Sequence, residues 1–471
     1  MPRLTLADLV RGTQGTLASG RLDAVVTGVA IDSRTLEPGQ AFVAIRGHRQ
    51  DGHAFVADAL RRGAGTVVVT RLPAGLGVPP EVGVVVVDDT THALQRLGAF
   101  HRRRFAIPVV GVTGSNGKTT TKELTALALG RRLRVLKATG SFNNQWGLPL
   151  TLLGLEPAHQ AAVIELGMNA FGEIAALAQV AQPTIGVVTT IGPAHLEFLG
   201  SLEGVQKAKG ELVQAIPPDG LVVLNADDPL VAALARDARG RVVTYGGAPD
   251  ATVRLGDVAA SPSEVRFRVS AGGATVAVRL PLPAAHNAGN AAAALAVALE
   301  LGIPLAEAAA ALEAAPPIKG RLVWRDAAGV RVLDDTYNAN PSSLRAALDV
   351  LRGAGTDAAG DAGRAWVVLG DMLELGPATD AAHHEAGAWI AALPAAGLVT
   401  VGPAARLAAA AARLGGCPDV TTCETPEEAA RRVAERIAPG DRVLVKGSRG
   451  MQLERAVVAL LAALGERGTA C

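Results

Sequence analysis

The chain has 471 residues, with 45 Lys plus Arg against 44 Asp plus Glu and a formal net charge of +1. At roughly 150 residues per domain this length points to about three domains. Near-neutrality excludes a general nucleic-acid or membrane-surface binder, and a composition 49% hydrophobic and 19% charged excludes extended disorder. With only 8 Phe, 4 Trp and 2 Tyr, the cores must be aliphatic, as in parallel sheets covered by helices.

Residues 1–90 carry short β-like runs at 25–31, 41–45, 66–70 and 83–87, one helical pattern at 54–62 and a Pro/Gly loop at 72–80. This predicts a small α/β domain. The N-terminus lacks the apolar core of a signal peptide. A helix follows over 91–104, and its basic end, His101-Arg-Arg-Arg104, reads as solvated and too short for a nucleic-acid patch.

A second domain is expected over 91–316. Apolar runs at 109–112, 162–164, 184–190 and 221–224 alternate with helical patterns and end on polar residues, where open parallel sheets bind ligands. Residues 251–280 alternate apolar and polar, which predicts an antiparallel appendage. An Ala-rich helix from Asn287 closes the domain. The apolar stretch 291–312 is interrupted by Glu300, Pro304 and Glu307, so it reads as soluble helix and not as a membrane span.

Pro316-Pro317 marks a linker to a third domain, 317–471, with strands at 330–333, 366–369, 398–401, 420–422 and 442–445. Each is followed by a helical pattern, which predicts a Rossmann-like α/β unit without a G-x-G-x-x-G turn. Gly353-Ala-Gly355 opens a Gly/Ala loop, 353–363, and is no dinucleotide fingerprint. Cys417, Cys423 and Cys471 have no zinc spacing. Their odd, sparse count fits a reducing compartment, and a cytoplasmic protein is expected.

The strongest local signal is Val110-Gly-Val-Thr-Gly114-Ser115-Asn116-Gly117-Lys118-Thr119-Thr120. An apolar strand enters a glycine turn that opens a helix, so the amides of 114–117 can converge on phosphate oxygens. Lys118 would neutralise the terminal phosphates, and the Thr119 hydroxyl can ligate Mg²⁺. The strict P-loop pattern has glycine where this chain has Val112, so the turn is a variant. Glu165 ends the run 161–164 and offers Mg²⁺ a hard oxygen. By themselves, His195 reads as structural and Lys207 and Lys209 as helix-surface charges. Asn143-Asn144 and Asp227-Asp228 read as turn and cap residues. His383-His384-Glu385 lacks metal spacing and reads as a solvated helix face.

Taken in order, these segments resemble the Mur ligase family, the ATP-dependent amide-forming ligases of bacterial cell-wall precursor synthesis. The likeness runs through essentially the whole chain. Besides the phosphate turn it rests on Ser141-Phe-Asn-Asn144, Gly147-Leu-Pro-Leu150, Glu165-Leu-Gly-Met-Asn169, Gly192-Pro-Ala-His195 and Lys207-Ala-Lys209. It continues in Asn225-Ala-Asp227, His286-Asn287 with Asn290, and Gly320-Arg321-Leu322. Within the family, Asp334-Asp-Thr-Tyr-Asn-Ala-Asn-Pro341 points to the member that adds D-alanyl-D-alanine to UDP-N-acetylmuramoyl-tripeptide. Gly370-Asp-Met-Leu-Glu-Leu-Gly376 and Val445-Lys-Gly-Ser-Arg-Gly450 point the same way. The lysine- or diaminopimelate-adding ligase and folylpolyglutamate synthase carry a D-Y-A-H-type segment in place of the first of these.

The resemblance implies a three-domain protein that uses ATP and Mg²⁺ and makes an acyl phosphate; a monomer is expected. Gly114, Ser115, Asn116, Gly117, Lys118, Thr119 and Thr120 would hold the ATP phosphates. Thr119 and Glu165 would serve one Mg²⁺, and His195 would help hold a second. Lys209 aligns with a lysine that relatives carry as a metal-binding carbamate, and is preferred over Lys207 for its spacing to Asn225-Ala-Asp227. Asn287 and Asn290 would lie near adenine, Asp335 near ribose, and Arg321 near the γ-phosphate across the domain cleft. Ser33, Arg34 and Gly47 sit where relatives bind the UDP end. Asn144 would touch substrate or phosphates, and Asn338 and Asn340 would face substrate. The C-terminal domain would close over the ATP. Two alternatives stay open: another amino-acid-adding ligase of this family, and a nucleotide-binding regulatory protein that has lost ligation. A P-loop motor ATPase is disfavoured, because no arginine finger is evident.

Overall fold

The computed structural model describes residues 4–47, 50–140, 142–355, 363–393 and 395–468. Ser141, most of the Gly/Ala loop at 353–363 and Cys471 therefore lie outside the described residues. Three main sheets and one two-stranded pair are present among those described, and helices cover them in an α/β arrangement.

The largest sheet has nine strands, and within its parallel part Val109–Thr113 lies between Ala161–Glu165 and Ile185–Val188. The first two are buried at every position, as strands covered on both faces must be. The chain passes from Val109–Thr113 to the edge strand Val135–Lys137 and returns to Ala161–Glu165. It then crosses to Ile185–Val188, Leu221–Asn225 and Arg241–Gly246, all parallel. That reversal is a topological switch point, and the crevice outside the strand ends lies there.

The expected antiparallel appendage continues this same sheet: Val253–Ala260, Val265–Ala271 and Ala274–Leu280 form its far edge. On one face, helices Lys118–Leu129, His286–Glu300 and Leu305–Leu312 share an aliphatic core. On the other, Glu173–Ala181 and Leu202–Ala215 do the same. The single helix expected over 291–312 is two: Gly302 turns the chain with φ +78° and Pro304 cannot continue a helix, so the second begins at Leu305.

The C-terminal sheet runs Val323–Ala327, Val330–Asp335, Arg442–Lys446, Ala365–Gly370, Ala395–Val401, Asp419–Cys423. It is parallel except for its first, antiparallel edge strand. The N-terminal sheet has Gly83–Val86, Thr66–Val69, Ala41–Val43 and Val29–Ala30 in parallel, and Thr16–Ser19 antiparallel at one edge. The run at 25–31 is divided: Val25–Val26 pairs with Leu4–Thr5, and only Val29–Ala30 joins the larger sheet.

The helix Thr90–Arg102 ties the first sheet to the central one. Its Ala93, Leu94 and Leu97 enter the N-terminal core together with Leu153. Its basic end is not solvated at its first two positions. His101 Nε2 meets the carbonyl of Leu155 at 3.0 Å, and the buried Arg102 guanidinium donates to the carbonyls of Ala181 and Phe105 at 3.0 and 2.6 Å.

Candidate active site

The strand Val109–Thr113 runs into Gly114 at φ +149°, and Gly117 stands at φ +82° at the helix mouth. A Cβ would strike the Thr189 hydroxyl at the first and the Asn290 side chain at the second; only glycine fits these two positions. The turn is held from the neighbouring loop. Ser115 and Asn116 donate their amides to the carbonyl and hydroxyl oxygens of Thr190, at 2.7 and 3.1 Å. Those two amides are therefore already engaged. The first-turn amides of Lys118–Leu129, which have no intrahelical partner, remain for an anion.

Lys118 folds back so that Nζ donates to the Gly114 carbonyl at 2.7 Å. Burial pushes its pKa down and Arg321 adds to this, while Glu165 opposes both. Glu165, 1% exposed, is the hub. Its Oε2 accepts from the Thr119 hydroxyl at 2.9 Å and its Oε1 from the Asn143 amide at 2.7 Å. The Thr119 hydroxyl in turn accepts from Arg321 Nη2 at 3.2 Å. Arg321 stacks on Tyr337, 4.2 Å from its ring centre.

Lys209 is 1% exposed, not a surface charge. Burial, then Lys118, push its pKa well below the usual lysine value, against a smaller opposing pull from Glu165. Lys207 remains at the surface, over the Phe171 ring.

Two adjoining cavities meet at the phosphate turn. The larger, about 680 Å³, is bordered by Asn116, Gly117, Thr120, Asn287, Asn290, Arg321, Asp335 and Lys446, a size suited to a small-molecule ligand. Within it Asn290 Nδ2 donates to Asn287 Oδ1 at 2.9 Å, and Asp335 receives the buried Lys446 ammonium at 2.5 Å. The smaller, about 280 Å³, gathers Ser115, Lys118, Asn143, Glu165, His195, Lys209, Arg321, Asn338, Asn340, Glu374 and Arg449. His195 Nδ1 lies 2.6 Å from Glu374 Oε2, and that contact holds the Glu374 carboxyl below the ordinary carboxylate range.

Most of the residues expected at the site thus surround one crevice. Asn144 does not: its Oδ1 accepts from the Trp146 and Gly147 amides and opens the helix Gly147–Leu152. Asn143 points into the crevice in its place. Ser33, Arg34 and Gly47 lie outside both cavities. Ser33 is buried, and exposed Arg34 pairs with Asp32 at 2.7 Å.

His383 is also misplaced by the sequence reading. It is fully buried, accepts from the Met372 amide at 3.0 Å and meets the Thr379 carbonyl at 2.7 Å. Asn143, Tyr337, Glu374 and Lys446 were overlooked as site residues. Each stands inside a segment already singled out, but its direction depends on contacts distant in sequence. Among the described residues, no group of three or more His, Cys, Asp or Glu is placed to hold a metal ion, and no helix is long and apolar enough to cross a membrane.

A phosphate turn at a switch point, closed over by an arginine from a third α/β unit, defines an ATP-dependent ligase of the Mur type. The chain belongs to the Mur ligase family: residues 25–102 match the model "Mur ligase family, catalytic domain", 112–298 the "Mur ligase middle domain" and 320–449 the "Mur ligase, glutamate ligase domain". It is 36% identical to the UDP-N-acetylmuramoyl-tripeptide–D-alanyl-D-alanine ligase of Bacillus subtilis, over 98% of this chain and 99% of that protein. It is likewise 36% identical to the Escherichia coli K12 enzyme of that name, over the same shares. The crystal structure of MurF from Acinetobacter baumannii superposes with a TM-score of 0.86 at 34% identity, covering 98% of this chain and 99% of that one. MurF ligase from Thermotoga maritima, in complex with ADP, gives 0.79 at 28% identity, covering 93% and 98%.

Proposed function

We propose that the chain is an ATP-dependent ligase that joins D-alanyl-D-alanine to UDP-N-acetylmuramoyl-tripeptide, giving the pentapeptide, ADP and phosphate for peptidoglycan synthesis. The observation that carries this reading is the link Glu165–Thr119–Arg321. It joins a carboxylate at a strand tip, the hydroxyl after the phosphate-turn lysine, and a cation from across the cleft around one point. Likeness to ligases of this name over nearly the whole chain supplies the substrates.

A carboxylate is a poor electrophile, and its amide does not form in water without coupling. An oxygen of the tripeptide carboxylate attacks the γ-phosphorus of ATP; the bond to ADP breaks and an acyl phosphate forms. Lys118, released from Gly114, and Arg321 stabilise the charge spread over the transferring phosphoryl. The D-alanyl-D-alanine amine then attacks the acyl carbon, loses a proton, and phosphate departs with the former carboxylate oxygen. Asn340 and Arg321, reaching over from the C-terminal unit, keep the reactants aligned and water out. The units act as 1–90 for the UDP end through Ser33, Arg34 and Gly47, 91–316 for ATP, and 317–471 for the amine and for closure. Asn287 and Asn290 face the adenine and Asp335 the ribose, and Asn338 faces substrate; the protein works as a cytoplasmic monomer.

Mg²⁺ fits the donor set. Thr119 and Glu165 present hard oxygens, and Asn143 fixes one carboxylate oxygen so that the other stays aimed at the phosphates. As a cation Lys209 would repel the ion. The lowered pKa favours the neutral amine, the form that can add CO₂ and release a proton to become a carbamate. Thr119 and Glu165 would then hold one Mg²⁺ and His195 help hold a second, with carbamylated Lys209 as a further oxygen ligand; bound there, the ions would neutralise phosphate charge.

The test is phosphate release with UDP-N-acetylmuramoyl-tripeptide and ATP across four amines: D-alanyl-D-alanine, diaminopimelate, lysine and glutamate. Release dependent on D-alanyl-D-alanine alone is expected. Release with another amine only, or with none, overturns the assignment.

A further inference from the structure

We propose that Glu374 is a positioning residue that acts through His195, so that docking of the C-terminal unit aims the histidine's free nitrogen into the phosphate cavity. The proposal rests on the function stated above and adds a residue to it.

The two side chains meet from separate units, His195 Nδ1 at 2.6 Å from Glu374 Oε2, and both border the smaller cavity with Glu165 and Lys209. Their backbones are equally committed. His195 stands at φ +58° and Glu374 at φ +65°, the left-handed region that non-glycine residues enter at a cost. The Glu197 amide donates to the Glu374 carbonyl at 3.2 Å, and Gly376 packs so closely that a Cβ there would lie 3.0 Å from the Glu197 Cα.

Each side of the contact is rigid on its own unit. Behind His195, Ile191 donates to Asp228 at 2.8 Å and Gly192 to the Ser115 hydroxyl at 2.9 Å, which ties the loop to the phosphate turn. Behind Glu374, the amide of Met372 donates to buried His383 at 3.0 Å and that of Leu373 to Ser448 Oγ at 2.9 Å. Glu374 therefore travels with the C-terminal sheet, while His195 stays with the turn that carries Lys118.

The approach is close but does not have hydrogen-bond geometry as it stands, and Nδ1 is buried with no other partner among the described residues. Once aligned, a carboxylate on Nδ1 selects the tautomer protonated there and leaves the Nε2 lone pair for a ligand, the arrangement by which carboxylates orient metal-binding histidines. When the units separate, the ring loses this partner. Closure and the competence of His195 as a donor are thus one event.

The experiment measures Mn²⁺ binding by electron paramagnetic resonance in the presence of ADP, on the full chain and on Glu374→Ala, Glu374→Gln, His195→Ala and the double Ala variant. Glu374→Ala is expected to weaken Mn²⁺ by about ten- to a hundredfold. The amide of Glu374→Gln can still accept from Nδ1–H and should restore most of the affinity. In the His195→Ala background, removing Glu374 should change nothing further. Unchanged Mn²⁺ affinity in Glu374→Ala, or full additivity in the double variant, overturns the proposal. The ligase reading is judged separately, by phosphate release from the unaltered protein with D-alanyl-D-alanine.

Discussion

Asn340 Nδ2 lies 2.9 Å from Asn116 Oδ1, so the residue that caps the helix Pro341–Gly353 also reaches the phosphate turn of another unit. Its Oδ1 accepts from the Ser343 amide at 2.9 Å, and its own backbone N–H donates in return to Ser343 Oγ at 3.1 Å. One side chain thus starts a helix and joins two units.

These two duties can be separated. In Asn340→Ser the hydroxyl still caps the helix, since Ser and Asn are comparable at that position, but it is too short to reach Asn116. Stability to urea is expected to stay within about 0.5 kcal/mol of the parent. The maximal rate of phosphate release should fall about fivefold, the equivalent of one neutral hydrogen bond of about 1 kcal/mol. An unaltered rate would remove the cross-unit bond from the account of closure.

Lys118→Ala is expected to abolish turnover and leave the fold intact. Among the described residues its ammonium hydrogen-bonds its own turn, at Gly114 and Ser115, so no hydrogen bond to a distant element is lost with it. Phosphate release and circular dichroism on the same sample check the two halves. A variant with near-normal turnover would refute the phosphate-site assignment.

The carbamate at Lys209 predicts chemical rescue. Lys209→Ala should be inactive and should recover part of its rate when short carboxylates such as acetate or formate are added, because they can occupy the space the carbamate leaves. Rigorous removal of CO₂ and bicarbonate should lower the activity of the unaltered protein. An unrescued variant as active as its parent would discard the carbamate.

The phosphate turn and Glu165 were legible from the chain because their chemistry is local. The glycines, Lys118 and Thr119 share one strand-to-helix turn, and Glu165 ends a buried strand. The central parallel strands were legible for a similar reason, as unbroken apolar runs. What escaped was set by distant partners. Lys446 and Asp335 are 111 positions apart, and His195 and Glu374 come from different units. Short strands against a sheet edge, such as Val323–Ala327, have half-exposed patterns that periodicity does not separate from loop. Basic residues at 101–104 look solvated until the carbonyls of Ala181 and Leu155 arrive from elsewhere in the fold.

The Asp335–Lys446 pair is buried on both sides, with side chains 9% and 1% exposed. Breaking such a pair leaves one uncompensated charge and is expected to cost about 3–5 kcal/mol. Lys446→Met should therefore unfold at markedly lower urea, and adding Asp335→Asn should return part of the loss by removing the stranded carboxylate. Urea titrations of the two single variants and the double variant measure this coupling. Additive losses would mean that the contact contributes little.

Arg102 supplies the sharpest contrast with its neighbour. Its guanidinium is buried and serves carbonyls of Ala181, Phe105, Ile107 and Gln182 at 2.6 to 3.3 Å, joining the linking helix to the far end of Glu173–Ala181. Arg103 is exposed one position on. Removing a charged donor strands several buried acceptors, each worth roughly 1–3 kcal/mol of desolvation, so Arg102→Ala should lose about 3 kcal/mol or more. Arg103→Ala should stay within about 0.5 kcal/mol, as exposed substitutions do. Both follow from the carbonyls facing each side chain and not from charge, since the two variants change net charge equally. Equal unfolding midpoints for the pair would show that the carbonyl cluster is satisfied without the guanidinium.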